Sequence, residues 1–365
     1  MRVAPHPALP LLGLWFAAGC GGDATAPPPA TYGPVPYIMV APLSNLVWTP
    51  DDQVLFWAPI YQQVTVSPVR LTAVDPDTRT WHYVETVDRH AERLSVSPDG
   101  ATAWFADEPA FDFPGDTLSV VYRLPLPQGQ ADTVTETKPV RLQGLLGYAH
   151  RVVAQPGGGA LYATPPDSLW EVQDSARGRA LLATGCAVIQ AISADGTRVL
   201  CSRADPADLV FITLPDGQLT PFDVRAASPT RYPQGFAFVD GRLHVAAVTP
   251  ADSSWVVSEW AEDTGARTPL FETSSFEENP GFAFWSGDGS RIAVWTEECL
   301  HPNYGVCLSG ILARLRVIDR ETGTVRLVGS FHGLPGLHGG VVAFAPDDRR
   351  IAFAIHYALY ITRID

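Results

Sequence analysis

The sequence predicts an all-β chain, a seven-bladed β-propeller of four-stranded blades closed by an N-terminal strand in the last blade. Three observations carry that reading. A strand–turn–strand unit recurs seven times. A second hairpin follows several of the units. The final unit lacks a fourth strand, while an unused strand stands ahead of the first unit.

The recurring unit is an apolar run, a turn of the Ser-Pro-Asp-Gly kind, and a second apolar run. Its copies start at Leu46 (LVWTPDDQVLFWA), Leu94 (LSVSPDGATAWFA), Val152 (VVAQPGGGALYAT), Ala191 (AISADGTRVLCS), Phe236 (FAFVDGRLHVAAV), Phe282 (FAFWSGDGSRIAVW) and Val342 (VAFAPDDRRIAFAI). They are spaced ~40 to 60 residues apart, and β-type runs with a period near that length mark propeller blades. The turn has a mechanism. Pro fixes φ at one corner, Asp hydrogen-bonds the nearby backbone, and Gly accepts a positive φ. The flanking Val, Ile, Phe and Trp suit a sheet packed on both faces.

The second hairpin starts at Leu71 (LTAVDPDTRTWHYV), Val210 (VFITLPDGQLTPF), Val256 (VVSEWAEDTGARTPLF) and Leu315 (LRVIDRETGTVRLV). Two hairpins make a four-stranded blade. The last copy has only a third strand, Ala358 to Ile364, after its first hairpin. Tyr37 to Ala41 can supply the missing strand and leave no open seam.

These units resemble the TolB-like, PD40-type propeller repeats, in which Ser-Pro-Asp-Gly sits in the same strand–turn–strand setting. Ser97-Pro98-Asp99-Gly100 and Ala345-Pro346-Asp347-Asp348 are close copies. Gln155-Pro156-Gly157-Gly158 and Val239-Asp240-Gly241 depart from the pattern. The resemblance runs from about residue 45 to the end and implies fold, not activity. Such propellers serve as interaction platforms, accessory domains of peptidases, or parts of envelope complexes.

Residues 1–19 read as a signal peptide. Arg2 supplies the positive end, and Ala8 to Ala18 is an apolar stretch too short to span a bilayer. Ala17-Ala18-Gly19-Cys20 resembles a bacterial lipobox, although the pattern prefers Leu where Ala17 stands. It implies cleavage before Cys20 and lipidation of its thiol. Gly21, rather than Asp, implies an outer-membrane anchor. Cleavage after Ala26 is the alternative, but Pro27 would then follow the cut. Residues 20–35 are a Gly, Ala and Pro-rich tether, and 36–365 are the propeller.

The five cysteines fit export. Lipidation of Cys20 leaves Cys186, Cys201, Cys299 and Cys307, enough for two bridges. Proximity suggests Cys186–Cys201 and Cys299–Cys307. Spacing alone leaves the connectivity open, with buried free thiols as the alternative.

The formal net charge of −14 disfavours nucleic-acid binding and direct binding to anionic lipid. In a four-stranded blade the tight Asp-Gly turns lie on one face and the longer loops on the other. Function is expected on the loop face. Two loops stand out. One carries Asp107, Glu108, Phe111, Asp112 and Phe113. The other, Thr296 to Gly310, carries Glu297, Glu298, His301 and Tyr304. Each could bind a partner, or simply be solvated loop that keeps the protein soluble. Glu297, Glu298 and His301 also offer oxygen and nitrogen ligands, but no established metal motif accompanies them, and no metal or other cofactor is expected. His332 and His338 could reach the axial channel or be ordinary loop histidines. Trp48, Trp57, Trp104, Trp285 and Trp295 fall in predicted strands as core, whereas Trp255 and Trp260 are ambiguous.

No nucleophile elbow, Walker loop or dinucleotide-binding fingerprint is present. The expected function is therefore that of a non-enzymatic, lipid-anchored envelope protein, monomeric, whose loop face binds a protein or peptide. The alternative is an extracytoplasmic propeller enzyme, a lyase or glycan-acting hydrolase, with its site at the channel mouth.

Overall fold

The computed structural model describes residues 35, 45–59, 69–87, 90–91, 94–108, 119–127, 132–137, 152–164, 168–172, 179–203, 208–228, 233, 235–303, 306–333, 340–355 and 358–364. They form seven antiparallel blades of a β-propeller. Blade 1 is β1 (Val47–Trp48), β2 (Val54–Pro59), β3 (Val69–Val74) and β4 (Trp81–Val87). In blade 2 the inner strand is split into β5 (His90–Ala91) and β6 (Ser95–Val96), which both pair with β7 (Thr102–Glu108); β8 (Ser119–Pro125) and β9 (Asp132–Thr137) follow. Blade 3 is β10 (Val152–Ala154), β11 (Ala160–Thr164), β12 (Ser168–Val172) and β13 (Arg179–Thr184). Blade 4 is β14 (Val188–Ile192), β15 (Arg198–Ser202), β16 (Leu209–Thr213) and β17 (Gln218–Phe222), followed by a helical turn, α1 (Val224–Ala227). Blade 5 is β18 (Gly235–Val239), β19 (Arg242–Pro250), β20 (Trp255–Ala261) and β21 (Arg267–Glu272). Blade 6 is β22 (Glu278–Trp285), β23 (Arg291–Asn303), β24 (Val306–Asp319) and β25 (Val325–Gly333). Among the described residues blade 7 has three strands, β26 (Val342–Phe344), β27 (Arg350–Ile355) and β28 (Ala358–Arg363).

The first-hairpin turns show why the motif has its residues. In blades 2, 4 and 6, Ser97, Ser193 and Ser286 each donate through Oγ to Asp99, Asp195 and Asp288. Each serine Oγ also accepts the N–H that opens the second strand, from Thr102, Arg198 or Arg291. The glycine that follows the Asp has positive φ: Gly100 73°, Gly196 72°, Gly289 71°. A Cβ on Gly289 would lie 2.4 Å from a methyl of Val239 in the neighbouring blade, so this turn needs glycine twice over. Blades 1 and 7 place Asp52 and Asp348 there instead, at φ 68° and 51°.

Seven apolar clusters form the core, one at each seam between neighbouring blades. Strand pleat explains the continuous apolar runs. In β2, Val54, Phe56 and Ala58 enter the seam with blade 7, and Leu55 and Trp57 the seam with blade 2.

The N-terminal segment meets the seam of blades 7 and 1 at Val35. Val35, fully buried, donates its N–H to Leu359 O at 2.8 Å and packs in the seam of blades 7 and 1. Tyr37 to Ala41, expected to be the closing strand, lie outside the described residues. Charged side chains bolt the turn face from blade to blade. Arg198 reaches Gly241 O and Glu262 of blade 5, and Arg291 reaches Asp348 O of blade 7. Between blades 5 and 6, Glu259 takes both Arg320 and His244, and Trp285 lies under the Arg320 guanidinium. A polar cleft of about 280 Å³ lined by Asp52, Asp77, Asp347, Arg349, Arg350 and Arg363 marks the seam of blades 7 and 1.

Of the expected disulfides, Cys186–Cys201 is formed, joining the lead-in of β14 to β15 in a fully buried position. Cys299 is disulfide-bonded as well. The side chain of Cys307 lies outside the described residues.

Candidate functional site

The segment Thr296 to Gly310 was expected to be a loop and is not. β23 continues to Asn303 and β24 resumes at Val306, so the two strands, at 13 and 14 residues, overrun the loop face as an arm. Each extra residue adds roughly 3.3 Å of reach. Its Glu, Pro and Asn have weak strand preference in isolation. Pairing with β22 and β24 overrides that preference.

A charge network fixes the base of the arm. Glu278, at the start of β22, is only 1% exposed at its side chain. Its carboxylate accepts from Thr296 Oγ1 at 2.6 Å and Ser274 Oγ at 2.9 Å, and pairs with Arg316 at 2.6 Å. Arg314 sits 3.4 Å from the same carboxylate and binds Glu298 at 2.6 Å. Burial pushes the Glu278 pKa up, but the Thr296 and Ser274 hydrogen bonds and the Arg316 charge outweigh it and hold it at about 2. It is an ionised anchor, not a proton-transfer group.

Beside the network, an aromatic pair crowns blade 5. Trp255 Nε1 donates to Phe276 O at 3.1 Å, and the rings meet edge to face with centroids 5.4 Å apart. Phe276 is 42% exposed. The crossover carrying it is lashed to the tight loop below: Trp255 N donates to Thr273 Oγ1, Thr273 N to Trp255 O, and Ser254 Oγ to Glu272.

The structure redistributes the predicted site residues. Glu297 and Glu298 are adjacent in a regular strand, so the pleat sends them to opposite faces. Glu298 turns to Arg314, and the two carboxylates do not form one ligand set. His301 pairs with Ser309 in the arm; its side chain, like Tyr304, lies outside the described residues. Asp107 and Glu108 end β7, paired with Ala91 and His90. Their side chains, and Phe111, Asp112 and Phe113, lie outside the described residues. His332 belongs to β25, the outermost strand of blade 6, and is opposite Leu312, so it is exposed on the flank and not at the axial channel. His338 lies outside the described residues. Trp260 is core, as are Trp48, Trp57, Trp104 and Trp295. Among the described residues no group of three or more His, Cys, Asp or Glu gathers around a common point as a metal site would.

Glu278, Arg314, Arg316, Ser274 and Phe276 were not anticipated. One signal existed: Arg314 and Arg316 alternate with Leu315 and Val317, which puts both guanidiniums on one face of a buried strand. Such charges demand a buried partner.

No protein-family model matches this chain, and no curated protein sequence does. Solved structures do match. Hydrazine synthase of Kuenenia stuttgartiensis is similar with a TM-score of 0.58 and 16% identity, over 89% of this chain and 96% of that one. The propeller domain of Cps50 (Swd1) of Myceliophteria thermophila is similar with a TM-score of 0.54 and 14% identity, over 88% and 97%. TolB of Acinetobacter baumannii matches with a TM-score of 0.47 and 13% identity, over 77% of this chain and 62% of that one. The likenesses to hydrazine synthase and to the Cps50 propeller domain establish the fold.

Proposed function

We propose that this chain is an exported, lipid-anchored envelope protein that binds a protein or peptide partner on its loop face and catalyses no reaction. The difference between the two faces carries the reading. On the turn face Arg198, Arg291 and Arg350 bolt blade to blade. On the loop face blade 6 raises an arm on a buried charge network, beside the half-buried Trp255 and the exposed Phe276 on a hydrogen-bonded frame. Rigid strands that present aromatic side chains are how scaffolds recognise other chains. The signal peptide and Cys20 supply export and anchorage.

The test is affinity capture from gently solubilised envelopes. The full-length protein is compared with Asp252→Ala/Phe276→Ala on the loop face and Arg349→Ala on the turn face. A stoichiometric partner kept by the turn-face variant and lost by the loop-face variant is expected. Equal capture by all three would sink the assignment of the face. Cys20→Ala should move the protein from the detergent phase to the aqueous phase; no change would refute the lipid anchor.

A further inference from the structure

We infer that the patch formed by Asp252, Trp255, Phe276, Glu277 and Glu298 on blades 5 and 6 is a receptor for arginine or lysine side chains, and that the partner offers it a basic segment. The inference rests on the loop-face reading above and names the chemistry of what binds there.

The charge count decides the sign. The patch and its supports hold five carboxylates, Asp252, Glu272, Glu277, Glu278 and Glu298, against two guanidiniums, Arg314 and Arg316. Both guanidiniums are already engaged. Arg316 lies between Glu278 and Thr296 and over the Phe271 ring, and Arg314 bridges Glu278 and Glu298. Arg267 stands at the opposite, turn-face end of β21 and donates to the carbonyls of Ala226 and Ala227. The patch therefore carries a surplus of negative charge on a chain whose net charge is −14.

The aromatic pair makes the patch more than a solvated acidic surface. Trp255 fixes the crossover that carries Phe276, and Phe276 is left 42% exposed. Glu277, next in the chain, is exposed, and a hydrogen bond from Ser275 lowers its pKa and keeps it ionised. An exposed aromatic side chain followed in the chain by an ionised carboxylate is complementary to a flat guanidinium or an ammonium on an apolar stem. Ordering costs little, because Thr273, Ser274 and Glu278 already tie the crossover to blades 5 and 6.

The experiment uses labelled oligo-arginine, oligo-lysine and oligo-glutamate peptides of equal length, with anisotropy read against the intact protein at low and physiological salt. Binding of the two basic peptides and none of oligo-glutamate is expected, with arginine the tighter. Phe276→Ala should weaken oligo-arginine by roughly three- to tenfold. Glu277→Gln should weaken it and flatten its salt dependence. Glu321→Gln, on the turn face of blade 6, removes the same charge and should leave binding unchanged. Equal effects of Glu277→Gln and Glu321→Gln would show that only the overall charge of the chain attracts the peptide, and would overturn the inference. So would an unaffected Phe276→Ala. A captured partner that oligo-arginine fails to displace would overturn this inference while leaving the binding-platform reading standing.

Discussion

The Arg350 guanidinium of the last blade clasps the Asp52 carboxylate of the first in a bidentate pair, at 2.8 and 2.9 Å, between residues 298 apart in sequence. Asp347 and Asp77 stand at 3.2 and 3.6 Å from the same guanidinium, which also lies over the Trp48 ring. Trp48 in turn donates to Asp52. Asp52 takes up a left-handed conformation that glycine occupies in other blades, so a locally strained residue is retained where its side chain joins the two ends of the ring.

Arg350→Ala should therefore destabilise the propeller by about 1–2 kcal/mol, more than a typical exposed ion pair, because the geometry is bidentate and Arg350 is mostly buried. Asp52→Ala should cost more than Asp52→Gly by about 1 kcal/mol, since only glycine relieves the positive φ. Urea midpoints at constant m report both differences. Equal midpoints for Arg350→Ala and the parent would mean that Val35 and the apolar seam close the ring unaided.

Glu278→Gln keeps the shape of the side chain but takes the buried anion from Arg316 and leaves Arg314 with Glu298 alone. A loss of about 3–5 kcal/mol at neutral pH is expected. The pH dependence has a definite sign. The folded pKa, about 2, lies below the ordinary 4.5, so the carboxylate stabilises the fold above pH 4.5 and loses that contribution as pH falls towards 2. The gap between parent and variant should narrow with acid over that window. A gap independent of pH would show that lost packing, not charge, causes the defect.

The parts of this molecule that were legible in the sequence are those whose chemistry is local. Ser97, Asp99 and Gly100 fold their turn through bonds among themselves, so the motif could be read wherever it recurred. The Arg350–Asp52 clasp could not be read, because its partners share no sequence neighbourhood. The arm was misread for a related reason: Pro302 and Asn303 look like loop, and only pairing with Cys307 and Val306 makes them strand. Adjacent acids misled in the opposite direction. Glu297 and Glu298 suggest one cluster on paper, and the pleat separates them. Phe276 carried no pattern at all, since its exposure depends on where a crossover meets Trp255.

Asp348 should behave in the opposite sense to Glu278. Burial and the facing Asp288 carboxyl in the turn of blade 6 raise its pKa to about 6, against the Gly287 amide and the Arg291 charge. Its folded pKa is above the ordinary 3.8, so the fold loses stability as pH rises from about 4 through 6. Asp348→Asn removes the charge and should be the more stable protein at pH 8 but not at pH 4. Melting temperatures of the two proteins across that range should diverge with rising pH. Parallel curves would show that the two turns do not share a proton.

The Cys186–Cys201 bridge spans a sequence separation of 15, and both sulfur-bearing residues are fully buried in the seam of blades 3 and 4. Closing a loop of that length lowers the entropy of the unfolded chain by an amount worth about 3 kcal/mol, so Cys186→Ser/Cys201→Ser should lose about that much, with some added cost for placing hydroxyls among Leu161, Ile189 and Val199. Burial gives the kinetic half of the prediction. Reductant should leave the bridge intact in the folded protein, and alkylation of these two thiols should follow global unfolding rather than precede it. Mass spectrometry of samples reduced and alkylated with and without denaturant decides the matter. Labelling of Cys186 and Cys201 under native conditions would mean that blades 3 and 4 part locally at a cost well below that of unfolding.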